Sequence, residues 1–245
     1  MKAYLKKFSA FIKTHLYYLL SKRNIIVISV INLIYLILLL IESQIFKGYI
    51  YIDTYREESL EVYTESIYPF IKIIFLFFIL FVNLSYFTGN ESRYSQYLIK
   101  DKSTKRIFYI SKYISIIIFI TIEYLFLYLS YEIIKMIMPY SKYPFSDLNK
   151  YFSVYLMGLY YLLLSSIILI ITRSNFALVL PIITFFVSDI LINDLEMDEI
   201  TKVLMMFTLS CSLEKGLYFG YFHAILLIIL LSIINVIVVK EIDIL

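Results

Sequence analysis

Residues 25–41 read IIVISVINLIYLILLLI, a run without a single charged side chain. As an α-helix rising 1.5 Å per residue, this run covers much of a hydrocarbon core that is about 30 Å thick. Comparable apolar stretches lie at 73–90, 113–131, 151–172, 174–193 and 216–239. The pattern therefore predicts an all-α membrane protein with six transmembrane helices.

Basic and acidic residues alternate between the connections. The N-terminal segment has no acid, and its basic residues are Lys2, Lys6, Lys7, Lys13, Lys22 and Arg23. The second connection is also basic, whereas the first and fifth are rich in acids. Because Lys and Arg near span ends mark the cytoplasmic side, both termini are predicted to be cytoplasmic. The net charge of +3 is then the sum of a basic cytoplasmic face and an acidic outer face, so it does not imply a nucleic-acid partner.

The chain divides into a short leader and one membrane domain. Residues 1–24 are predicted to form a cytoplasmic interfacial amphipathic helix, and residues 25–245 the six-helix transmembrane domain. The apolar side of the leader repeats at helical spacing, at Leu5, Phe8, Ile12, Leu16 and Leu19. The alternative is a basic leader that only orients the first span.

The fifth connection combines acids with a short apolar run. Residues 194–199 carry the acids, and the run 203–213 is too short to cross a bilayer. Such a run can form a re-entrant or interfacial helix. We expect one at about 194–213, on the outer side and before span six.

The second connection, residues 90–112, carries the pattern of a short surface helix. Tyr94, Tyr97 and Leu98 share one helical face, and Ser103 is positioned to cap a helix that runs into the third span. The alternative is a basic loop that only sets orientation. The residues alone leave both interpretations open.

Glu123 is the one ionisable residue well inside these predicted spans. Eleven residues beyond Lys112, it lies about 16 Å into the bilayer. A carboxylate there is costly unless it is neutral, paired or hydrated. Glu123 is therefore a candidate for the translocation path, together with Tyr124 and Tyr128 on the same helix. The alternative is a structural role, with a neutral Glu123 bonded to Asn32, Asn83 or Asn235 and the tyrosines serving only in packing.

No catalytic or metal-binding motif accompanies these residues. The five glycines are isolated, so the chain has no phosphate-binding P-loop. His15 and His223 are far apart and on opposite predicted sides, so both are interpreted as polar interface residues. The chain itself is predicted to be no enzyme, with no catalytic, metal or cofactor-binding residues.

The whole architecture resembles the ABC-2 type membrane subunit of an ATP-binding cassette exporter. That family has about this length, six spans, an amphipathic helix before the first span and short re-entrant helices before the sixth. In the second connection, Glu91, Leu98, Ser103, Arg106 and Lys112 resemble the family's coupling region. The chain lacks the Gly-Thr after the acid and the Pro before the Ser that the family tends to carry.

The resemblance implies a permease that forms half of an export pathway. Its coupling region, at about 91–106, would contact separate ATPase subunits through Glu91, Tyr94, Tyr97, Leu98, Ser103 and Arg106. ATP and Mg would be bound by those partners, and a second permease, identical or a related paralogue, would complete the pathway. The substrate would be an amphipathic or hydrophobic molecule, such as a peptide of the bacteriocin or phenol-soluble modulin type.

Two other classes remain open. A proton-coupled secondary transporter would use Glu123 as its relay, and a substrate-binding membrane component of an energy-coupling-factor importer would also borrow an ATPase. The composition, rich in Ile, Lys and Tyr and without Trp, suggests the plasma membrane of a bacterium with an AT-rich genome.

Overall fold

The computed structural model describes residues 2–52, 58–87, 102–137, 148–172, 174–194 and 218–241. Within these ranges all regular structure is helical, as predicted. In chain order the helices are α1 (Lys2–Leu19), α2 (Lys22–Ile52), α3 (Glu58–Phe87), α4 (Lys102–Ile137), α5 (Leu148–Thr172), a 3-10 helix (Asn175–Leu178), α6 (Val179–Asp194) and α7 (Tyr218–Glu241).

Five of these helices are long and apolar enough to cross a membrane, so the chain is a multi-pass membrane protein. The qualifying segments are Lys22–Ile45, Tyr63–Phe87, Ile107–Ile137, Leu148–Thr172 and Tyr221–Val238. The fifth predicted stretch, 174–193, forms the 3-10 helix followed by α6, which has 16 residues. The predicted re-entrant helix lies outside the described residues, apart from Asp194 at the end of α6.

Helix α5 lies at the centre of the bundle. It packs against α3 on one side and α7 on another, while α2 packs on α3 and α4, and α1 packs on α4. The side chains of α5 are mostly buried, whereas few of those described on α2 and α7 are buried. Most exposed residues of α2 and α7 are Ile, Leu and Val, which favours contact with lipid or another apolar surface.

Gly158 allows α3 and α5 to approach closely. A Cβ added at this position would lie 2.8 Å from Cδ1 of Ile79 and closer still to the ring of Phe75. Both neighbours are fully buried, so neither can swing aside into open space. Small residues at helix contacts are a common means of close packing in membranes.

The buried side-chain amide of Asn83 forms hydrogen bonds between α3 and α5. Asn83 of α3 donates through Nδ2 to the carbonyl oxygen of Leu162 at 2.9 Å and to Oγ of Ser165 at 2.5 Å. These bonds join α3 to α5 in the middle of the apolar core.

A second amide attaches α7. Nδ2 of Asn235 donates to the carbonyl oxygen of Leu163 at 3.1 Å. Its Oδ1 accepts from the hydroxyls of Tyr113 at 2.6 Å and Ser166 at 3.0 Å. One side chain thus connects α7 with both α4 and α5.

We expect Gly158→Ala to destabilise the protein by about 1–3 kcal/mol, because a methyl group is forced into a filled contact. The control is Val236→Ile, which adds a methylene on the exposed side of α7. The measurement is the fraction of monodisperse protein that survives heating in detergent, followed by size-exclusion chromatography. Equal survival of the two variants would contradict the close contact.

Candidate functional site

The predicted coupling residues lie mostly beyond the described structure. Glu91, Tyr94, Tyr97 and Leu98 fall in the gap between α3 and α4. Ser103 and Arg106 are in the first turns of α4, but their side chains are not described. Helix α4 begins at Lys102, so Ser103 lies in its first turn. The coupling contact stays a prediction.

A polar junction, formed by His15, Tyr18, Tyr86 and Lys112, lies at the end of α3 that borders this gap. Nζ of Lys112 donates to the carbonyl oxygen of Tyr86 at 3.1 Å. The Tyr86 hydroxyl is hydrogen-bonded to Nδ1 of His15. The Tyr18 hydroxyl donates to the carbonyl oxygen of Ser85 at 3.0 Å. The junction therefore joins α1, the end of α3 and the eleventh residue of α4.

Lys112 stabilises the C-terminal end of α3. The last carbonyls of a helix lack partners within the helix and carry partial negative charge, which favours a cation there. The ammonium group also lies 4.3 Å from the ring centroid of Tyr86 and 4.4 Å from that of Phe87. Cation–π contacts of this kind offset part of the cost of burying the charge.

His15 is fully buried, and its predicted role as a polar interface residue stays a prediction. Its ring centroid lies 4.7 Å from that of Phe108 on α4, and Phe11 contacts the same ring at 5.5 Å. Helix α1 was predicted, and it forms, but part of its apolar side packs on α4, while Leu5 is exposed. Its position at a membrane surface stays a prediction.

Glu123 lies one residue from the middle of the apolar segment Ile107–Ile137. It is only 7% exposed, and Asn32 of α2 is its hydrogen-bond partner. Of the three amides considered as partners, Asn83 and Asn235 are bonded elsewhere. The carboxyl group lies at the contact between α2 and α4, and its depth in the membrane stays a prediction.

Tyr124 and Tyr128 belong to a different environment from Glu123. Their rings stack with centroids 6.4 Å apart, within a series of six rings that we call the tyrosine cluster. Its members are Tyr63, Tyr124, Tyr128, Tyr131, Tyr151 and Tyr155, with successive centroids 4.7–6.4 Å apart. The cluster joins α3, α4 and α5, so its rings contribute to the packing of these helices, and a place of Tyr124 and Tyr128 in a translocation path stays a prediction.

The prediction that Glu123 is the one ionisable residue well inside a span was wrong. Lys72 lies within the segment Tyr63–Phe87, and it is 5% exposed. Its Nζ is 4.9 Å from the ring centroid of Tyr68. Glu132 and Lys135 of α4 are buried as well. The helical spacing of Thr64, Tyr68 and Lys72 could have revealed that the helix continues through the lysine.

The described residues contain no group of three or more His, Cys, Asp and Glu side chains that could hold a metal ion. No protein-family model matches the chain, and no curated protein matches it in sequence. The geometry of the junction, of Glu123 with Asn32 and of the tyrosine cluster therefore carries the functional argument.

We expect Glu123→Leu to destabilise the protein by about 1–3 kcal/mol, because Asn32 loses its partner in a buried contact. Glu123→Gln keeps the shape and a hydrogen-bonding group, so its effect on stability should be much smaller. The stability of both variants is measured as the fraction of monodisperse protein that survives heating. Glu65→Leu, at an exposed position of α3, is the matched control for loss of an acid. Equal stability of Glu123→Leu and Glu65→Leu would contradict the pairing with Asn32.

Proposed function

We propose that the chain is the membrane-spanning permease subunit of an ABC-2 type exporter, forming half of the pathway for an amphipathic or hydrophobic substrate, such as a peptide. Separate ATPase subunits bind ATP and Mg, and a second permease, identical or a related paralogue, completes the pathway. The multi-pass helical architecture and the amphipathic helix α1 support this proposal. So does the basic connection between α3 and α4, which resembles the family's coupling region.

The observation that carries the proposal is the polar junction. It joins the end of α3 to α4 at Lys112, ten residues after α4 begins, so a partner that moves the segment 88–101 would move α3 and α4 together. Helix α4 has 36 residues and is about 54 Å long as a continuous helix. It reaches from the proposed coupling region past Glu123 to the tyrosine cluster. Movement at the ATPase would thereby reach the middle of the membrane.

The proposed topology has six spans with both termini in the cytoplasm of a bacterial cell. In it, the 3-10 helix and α6 together form the fifth span, since their 20 residues suffice to cross a bilayer. The basic residues before α2 and in the second connection support the orientation.

A proton-coupled transporter is a second candidate, and one observation favours it. Glu123 is a buried carboxyl group near the middle of an apolar helix, a setting typical of proton relays in membrane transporters. Transport by such a protein would need no ATPase partner and would follow the proton gradient.

The experiment is affinity purification of the tagged full-length chain from its native membrane, followed by identification of co-purifying proteins. We expect an ATPase to co-purify, and ATP turnover to require it. Tyr97→Asp with Leu98→Asp should release the ATPase without preventing membrane insertion, because the double change puts two charges into a proposed apolar contact.

The matched control is Tyr17→Asp with Leu20→Asp, which replaces the same pair of residue types at exposed positions, Tyr17 in α1 and Leu20 directly after it. Full retention of the ATPase by the Tyr97 and Leu98 variant would exclude the proposed contact. Absence of any ATPase, combined with uptake or export driven by a pH gradient alone, would favour the second candidate.

A further inference from the structure

The contact between Glu123 and Asn32 has more acceptors than donors. Oε1 of Glu123 and Oδ1 of Asn32 are both buried, and neither has a hydrogen-bond partner among the described residues. The amide of Asn32 can satisfy only part of the carboxyl group. A buried acceptor without a donor is costly, so this contact would be stabilised by one more donor.

Exposed apolar residues flank this contact. On α4, Ile118, Ile122 and Phe126 form a ridge at helical spacing, and all three are exposed. On α2, Leu33 follows Asn32 and is also exposed. Asn32 itself is partly exposed, which places the pair at the edge of the α2–α4 contact. A ligand that lies along the ridge could therefore reach the two acceptors from the side.

The depth of Glu123 restricts the source of the donor. The cations of lipid headgroups lie at the membrane surface, about 15 Å from the middle of the hydrocarbon core. A second copy of the chain is also a poor source. Among the described residues its lysine near mid-span is Lys72, which is 5% exposed and packs over Tyr68. A partner that is apolar along its length and carries its own cation at this depth would supply the donor and match the charge of the carboxylate.

We propose that the faces of α2 and α4 beside Glu123 bind an amphipathic helical peptide with one cationic side chain at the edge of its apolar face. The ammonium group donates to Glu123 and to Oδ1 of Asn32, while the apolar side chains of the peptide pack along Ile118, Ile122 and Phe126. In the empty site a proton on the carboxyl group supplies the donor, and it leaves to water when the ammonium binds. This inference rests on the proposed export of amphipathic substrates and specifies how they are selected.

The test measures peptide binding to the full-length chain in nanodiscs of neutral phosphatidylcholine. The probe is a synthetic amphipathic helix of about 20 residues with a single central Lys, and its control has Gln in place of that Lys. We expect the Lys peptide to bind about tenfold more tightly than the Gln peptide, as a charge-assisted hydrogen bond in a buried site implies. The preference should disappear in Glu123→Gln and persist in Glu65→Gln, where an exposed acid is changed.

A second variant distinguishes loss of the charge from misfolding, and a cross-link identifies what occupies the site. Glu123→Asp keeps the charge, so it should retain a preference for the Lys peptide. A photoreactive residue at Ile122, which is 59% exposed, should cross-link to the bound peptide.

Equal binding of the two peptides, or an unchanged preference in Glu123→Gln, would overturn the inference. Cross-linking of Ile122 only to a second copy, with or without peptide, would also overturn it. Because no ATPase is present, these results are independent of the co-purification experiment, and either proposal can fail without the other.

Discussion

Polar groups inside a membrane domain need partners within the protein, because the hydrocarbon core supplies no water. This constraint determines how the described helices are joined. Asn83 links α3 to α5, and Asn235 links α7 to α4 and α5. The Tyr35 hydroxyl of α2 donates to the carbonyl oxygen of Leu127 on α4 at 2.8 Å. Apolar packing fills the space around these bonds, but it is much less selective about helix partner and register.

Most of the helices could be predicted from hydropathy, because length and absence of charge suffice to identify a span. The residues at which the helices begin and end were less predictable. The predicted apolar stretch begins at residue 73, directly after Lys72, whereas α3 begins at Glu58, because the lysine lies within the protein and its ammonium packs over Tyr68. A charge marks a helix end only where it must face water, and this depends on tertiary contacts that the sequence does not display.

The sequence sufficed to identify Glu123 as the candidate residue, but not to identify the side chains that contact it. Glu123 was singled out by its depth, while its choice of Asn32 from three amides required the packing of α2 on α4. The polar junction was not predicted, because His15, Tyr86 and Lys112 are far apart in sequence. It joins the leader to the helix ends beside the proposed coupling region. In the described structure α1 is consequently packed with the membrane domain, and a force on the second connection would act on three helices together.

The central claim, that buried polar bonds and not apolar packing alone select the helix partners, can be tested with a double-mutant cycle. Tyr113→Phe and Asn235→Leu each remove one side of the bond between α4 and α7, and stability is measured for both single variants and the double variant. We predict that the double variant is hardly less stable than the worse single variant, with a coupling energy of about 1 kcal/mol. Additive losses, with no coupling between the two positions, would contradict the claim.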